Sequence, residues 1–81
     1  MQIDVRFFAR ARDLVGAESV PVDLPEPATV ADLRVALREQ YPALEPLLSH
    51  LHIAIGTDYA DDATPLAETS AVTCFPPVSG G

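Results

Sequence analysis

Along the first stretch, QIDVRFFARA, apolar and polar residues alternate: Ile3, Val5 and Phe7 face one way, Asp4, Arg6 and Phe8 the other. A period of two is that of a strand with one buried face. The segment ARDLVGAE breaks the alternation and reads as a loop or short turn closed by Gly16. In SVPVDL the period of two returns, with Val20, Val22 and Leu24 on one face. Pro21 has no N–H to donate and places this second strand at a sheet edge. The two runs predict an antiparallel hairpin.

The pattern then changes. In PEPATVADLRVALREQYP, Val30, Leu33, Leu37 and Tyr41 recur three and four residues apart, Ala36 widens the stripe, and Asp32, Arg34, Arg38 and Glu39 lie away from it. That is an amphipathic helix. Thr29 is its N-cap, Asp32 stands where a capping box has its acid, and Pro42 ends the helix near Tyr41. ALEPLLSH allows another short helical turn. LHIAIG alternates again, with Leu51, Ile53 and Ile55 on one face. TDYADDATPLAETS is polar and turn-rich, with room for one short strand. AVTCF is the last strand, with Val72 and Cys74 on one face and Thr73 and Phe75 on the other.

Strand, strand, helix, strand, short strand, strand is an α+β order in which one helix layer covers one sheet. It predicts a β-grasp, or ubiquitin-like, arrangement: a mixed sheet of four to five strands with one main helix on one face. Its first and last strands are central neighbours. The ferredoxin-like alternative needs a helix between the first two strands, where the pattern gives a hairpin. The expected core is Val5, Phe7, Leu33, Leu37, Ile53, Ile55 and Val72. Residues 1–75 are the folded domain and 76–81 an extended Gly-Gly tail.

At 81 residues there is room for one small core. Charges where a signal peptide is apolar, and no apolar run long enough to span a bilayer, point to a cytoplasmic protein away from membranes. The net charge of −7 disfavours nucleic acid and anionic lipid and favours a basic protein partner. All five basic residues are arginine. Without lysine, the chain offers no ε-amine for conjugation to a copy of itself. A single cysteine, Cys74, excludes an internal disulfide and sits on a core face without a basic neighbour in sequence, which reads as packing rather than reactivity. His50 and His52 share a strand face but lack a third ligand; Asp58, Asp61 and Asp62 lack the glycine and glutamate of a calcium loop. No metal is expected. Phe8 and Phe75 fall on the strand faces opposite the core, with Tyr59 in a nearby loop: either the aromatics form a docking patch or the loop around Tyr59 partly covers that far face.

The segment CFPPVSGG holds the candidate chemistry. Pro76 and Pro77 stiffen the exit from the last strand, and Gly80 and Gly81 carry no side chain. Six residues from Pro76 to Gly81 reach about 20 Å when extended. Such an end can enter a narrow channel and present its carboxylate for activation. The chain has no phosphate loop and no nucleophile–base pair in one segment, so another enzyme must perform that activation. A frayed terminus is the bland alternative.

The segments VRFFARARDLVG, TVADLRVALREQYP and CFPPVSGG together resemble the MoaD family of ubiquitin-like sulfur carriers, the small subunits of molybdopterin synthase. The similarity runs the whole chain. Gly56 stands where that family often has Asn, and AETSAVT replaces its acidic turn before the last strand. The resemblance implies that an activating enzyme uses ATP to adenylate Gly81 and that a sulfur donor converts it to a thiocarboxylate. The large synthase subunit, in a heterotetramer of two small and two large chains, then transfers the sulfur to cyclic pyranopterin monophosphate to form the dithiolene. Gly81 is the reacting residue. Gly80, Ser79, Val78, Pro77, Pro76, Phe75, Phe8 and Tyr59 are the partner-binding candidates. No cofactor is permanently bound, and the small subunit has no activity alone. A carrier for thiamine synthesis, and a protein modifier or interaction module, are the other readings.

Overall fold

A computed structural model describes residues 1–76. Pro77, Val78, Ser79, Gly80 and Gly81, the greater part of the expected tail, lie outside the described residues. Strand β1 spans Gln2–Phe7, helix α1 Ala9–Val15, β2 Ser19–Asp23, β3 Ala28–Thr29 and helix α2 Val30–Gln40. A 3-10 turn over Pro42–Leu44 leads into α3, Glu45–Leu48. Strands β4, His52–Ile55, β5, Asp58–Ala60, β6, Pro65–Leu66, and β7, Val72–Phe75, complete the described chain.

The main sheet has the order β2-β1-β7-β4-β5. β1 and β7 are parallel central neighbours, with Val5, Arg6 and Phe7 opposite Val72, Thr73 and Cys74. β2, β4 and β5 add antiparallel partners. This is the expected β-grasp with five strands. The alternation read in sequence is the burial observed: Ile3, Val5 and Phe7 are buried, as are Val72 and Cys74. Ile55 packs half-buried at the core margin.

ARDLVGAE is a helix, not a loop. Ala11 is buried and Leu14 and Val15 pack against the core, a spacing of three and four residues that gives even this short segment an apolar stripe. Phe8 enters in extended backbone, and Ala9 then adopts φ 55°. That left-handed turn costs roughly 1 kcal/mol for a residue with a Cβ. Gly16 closes the helix at φ 82°, and its N–H donates to the carbonyl of Arg12. A helix therefore does stand between the first two strands. The topology stays β-grasp because β1 and β2 pair antiparallel, Gln2 opposite Asp23 through Arg6 opposite Ser19. A ferredoxin-like crossover requires parallel strands. The direction of pairing, not the presence of a helix, separates the two folds.

β2 is the edge strand that Pro21 required. Part of that edge is covered. The Gln40 side chain donates to the Asp23 carbonyl at 2.9 Å and accepts from the Asp23 N–H at 3.0 Å, imitating a neighbouring strand. The Tyr41 hydroxyl donates to the Pro21 carbonyl at 2.7 Å. Both contacts fix the C-terminal end of α2. At its other end the capping box forms: the Thr29 N–H donates to Asp32 Oδ2 at 2.8 Å, and the Asp32 N–H reaches Thr29 Oγ1 at 3.5 Å. The next two amides, of Val30 and Ala31, donate to the carbonyls of Thr64 and Asp62. The small sheet of β3 and β6 brings this loop to the helix start, Ala28 opposite Leu66. Between these ends, Val30, Leu33, Ala36 and Leu37 are buried against the sheet.

Arg34 is not on a solvated face. Its Nε donates to Asp62 Oδ1 at 2.9 Å, one terminal nitrogen to the Leu48 carbonyl at 2.7 Å, and the other to the Leu51 carbonyl at 2.8 Å. One side chain thus ties α2 to the segment before β4 and to the loop before β6.

Candidate functional site

The sheet face opposite α2 has no described helix on it, and its rings gather where β7 ends. β4 and β7 pair so that His52 stands opposite Phe75 and Ala54 opposite Thr73, while β5 sets Tyr59 opposite Ala54. Side chains on one face of adjacent strands meet directly or diagonally. Here the rings of His52 and Phe75 have centroids 5.6 Å apart, Tyr59 and Phe75 5.7 Å, and His52 and Tyr59 6.0 Å. All three pairs are tilted, within the range aromatic rings favour. Phe75 is half-buried in this cluster and Tyr59 is 79% exposed.

Phe8 sits one strand away. Its N–H donates to the Cys74 carbonyl at 3.2 Å, which extends the β1–β7 pairing by one step. Its ring is 46% exposed, with the Arg6 guanidinium 5.7 Å from its centroid. The structure thus brings Phe75 and Tyr59 together, and leaves Phe8 with Arg6 rather than in the ring cluster. His52 is the member that the sequence reading missed. The alternation of LHIAIG carries the signal, because it places His52 and Ala54 on the face opposite Ile53.

The strand that supports this face is chemically quiet. Cys74 has no exposed surface, and burial, only partly opposed by the Arg34 charge, pushes its thiol up to about 12. It is a core residue, not a nucleophile. Among the described residues no three His, Cys, Asp or Glu side chains converge as a metal site. Asp61 accepts from the Ala63 N–H and the Thr64 hydroxyl, and Asp62 pairs with Arg34, so the acidic run builds a turn and a latch. Gly56 takes φ 63° at the first position of the two-residue turn joining β4 to β5, a site where glycine suits a tight hairpin. That turn aligns Tyr59 with the other rings. Pro76 follows Phe75 directly and is half-buried.

A strand central to the sheet therefore delivers the chain out beside an exposed ring cluster. The ThiS family model matches residues 5–81. The chain belongs to the ThiS family. It is 32% identical over 83 residues to the molybdopterin synthase sulfur carrier subunit of Caenorhabditis elegans, covering 100% of this chain and 99% of that one. Within the family it is similar to the MoaD-type ubiquitin-like sulfur carriers. The crystal structure of SAMP1 from Haloferax volcanii, a small archaeal modifier protein, superposes with a TM-score of 0.86 at 29% identity, covering 100% of both chains. A chain in the complex of subunits 1 and 2 of the molybdopterin-converting factor from Helicobacter pylori gives a TM-score of 0.71 at 27% identity, again over 100% of both chains. No helix among the described residues is long and apolar enough to cross a membrane.

Proposed function

We propose that this protein is the sulfur carrier subunit of a molybdopterin synthase. The single observation that carries the reading is structural: β7, beside β1 at the sheet centre, ends next to the cluster of His52, Tyr59 and Phe75. That arrangement separates two tasks. The ring face holds a partner, and the residues after Pro76 reach into that partner's site. A free carboxylate is a poor electrophile, so Gly81 is first joined to AMP by an activating enzyme that uses ATP. A sulfur donor displaces AMP, forming the C–S bond of a thiocarboxylate. The large subunit then directs this sulfur to a cyclic pyranopterin monophosphate, and two transfers complete a dithiolene. The small subunit contributes the acyl group and its placement; the reaction's acids and bases belong to the partners. Gly80 gives clearance because a residue without Cβ fits a channel that others crowd. The setting is cytoplasmic, and the assembly has two small and two large subunits.

The likeness to an archaeal modifier protein favours one alternative, in which the activated Gly81 forms an isopeptide with a lysine of another protein. Intact mass distinguishes the two. Incubation with activating enzyme, ATP and a sulfur donor should add about 16 Da, the exchange of one oxygen for sulfur at the acyl carbon. An unchanged mass overturns the sulfur-carrier reading. Appearance instead of this chain on target lysines supports the modifier.

A further inference from the structure

We propose that the folded chain presents no amine or thiol able to capture an activated C-terminus, its own or that of another copy, so a different molecule always supplies the acyl acceptor. This rests on the reading of Gly81 as the activated residue. In the reaction that is avoided, an amine nitrogen attacks the acyl carbon of Gly81 and a C–N bond forms. The bond to AMP or a thiol breaks, the leaving group takes the electron pair, and the amine proton passes to solvent. A chain whose end is repeatedly activated faces this side reaction with its own surface at every cycle.

Three features from separate parts of the molecule close that route. All five basic side chains are guanidinium groups and there is no lysine. A guanidinium stays protonated and is not a nucleophile, so the arginines provide positive charge without an attacking nitrogen. The one thiol, Cys74, is fully buried, with Phe7 opposite it on β1 and Ile53 opposite it on β4. The amino group of Met1 donates to the Leu24 carbonyl at 2.8 Å, and the Leu24 N–H donates back to the Met1 carbonyl at 2.8 Å. Met1 also packs against the core. Its amine thus caps the β1–β2 ladder in a half-buried position, and that tether restricts its approach to an acyl group while the pairing holds. Hydroxyls and the imidazoles of His50 and His52 remain. Hydroxyls are weak nucleophiles at their ordinary pKa. An acyl imidazole returns to the carboxylate by hydrolysis and leaves no lasting adduct.

The consequence reaches both functional readings. A sulfur carrier of this kind loses none of its activated form to self-acylation. A modifier of this kind places one copy on each target amine and builds no chains on itself.

The full chain carrying a C-terminal thioester, prepared by intein cleavage with mercaptoethanesulfonate, provides the test. At mildly alkaline pH the folded chain should hydrolyse to the carboxylate without amide-linked dimer or cyclised monomer, followed by intact mass. Arg10 and Arg12 are exposed on α1, which begins beside the end of β7. Arg10→Lys and Arg12→Lys should each give amide-linked product at about tenfold or more over the native chain, since each adds an accessible amine. Unfolding the native chain in urea should release the Met1 amine and produce the same class of adduct. Amide-linked product from the folded native chain at the level of the lysine variants overturns the proposal. So does inertness of both lysine variants while circular dichroism shows them folded, or a thioester equally stable to aminolysis in urea. The thioester is made without the activating enzyme, so these outcomes are independent of the sulfur-loading assay, whose failure would count against the function itself.

Discussion

Two neighbours on β7, Cys74 and Phe75, show how adjacent residues divide between the core and the opposite sheet face. Cys74 points into the core, where burial raises its thiol to about 12. The unfolded thiol, near the ordinary 9.0, ionises first as pH rises. The unfolded state then holds fewer protons, so this group's contribution to stability is complete below about pH 9 and is lost as pH rises toward 12. Native stability should fall by about 1.4 kcal/mol per pH unit in that window. Cys74→Ala should be less stable at neutral pH but should lose this slope, as urea titrations at several pH values would reveal. An unchanged slope would mean that the thiol is not the group responsible. Phe75 points the other way, into the rings of Tyr59 and His52. If this face holds the large subunit, Phe75→Ala should weaken the complex by about 2 kcal/mol or more, the cost of losing an aromatic anchor. Titration calorimetry with the purified large subunit measures it, and unaltered affinity with an unaltered fold removes Phe75 from the interface.

At the scale of elements, α2 is held at both ends and along one side. Arg34 joins it to two loops by three hydrogen bonds while remaining only 25% exposed in its side chain. Arg34→Ala leaves the Leu48 and Leu51 carbonyls without this partner, and should cost roughly 1–3 kcal/mol in denaturant unfolding. Arg34→Lys should recover little, because an ammonium cannot reproduce the planar fork that reaches three acceptors. A loss below about 0.5 kcal/mol would mean that the latch is dispensable. Leu37, fully buried on the same helix, should cost about 2–5 kcal/mol when changed to Ala. The legibility of these elements followed from their periodicity. α2 is readable to its capping box because Val30, Leu33 and Leu37 repeat over two turns and Thr29 and Asp32 mark the start. α1 was missed because Ala11, Leu14 and Val15 fill only one turn, too few repeats to outweigh Gly16 as a loop signal. Periodicity puts Arg34 away from the apolar stripe but cannot reveal that distant loops cover that face. Phe75 is legible as an off-core position and Tyr59 as a loop residue near it, but their union with His52 depends on β4 lying between β7 and β5. No local pattern encodes that order. β3 and β6, two residues each, have no periodicity to detect.

On the scale of the whole molecule, the fold and the chemistry proposed for the tail are separable. The buried core runs as far as Cys74, and Pro76 follows the last strand immediately. Removing Gly81 should therefore leave the unfolding free energy within about 0.5 kcal/mol of the full chain. It should also leave most of the affinity for the large subunit, since the ring face of Phe75, Tyr59 and His52 is untouched. Sulfur loading should nevertheless be abolished. If Gly81 is the residue activated, the new terminal carboxylate would stand about 3.5 Å short of the activating site, the length of one extended residue. Misplacement of about 1 Å can already lower a rate a hundredfold. The truncated chain should then inhibit dithiolene formation by occupying the large subunit without delivering sulfur, and added full-length carrier should relieve the inhibition. Because the full chain bears a net charge of −7, association with a basic partner should slow as salt rises, for both forms alike. Stopped-flow binding at two ionic strengths, with intact-mass detection of the thiocarboxylate, separates the contributions. A Gly81-deleted chain that loads sulfur as well as the native one would remove the terminal residue from the chemistry. A deleted chain that no longer binds would place the docking energy in the tail rather than on the sheet.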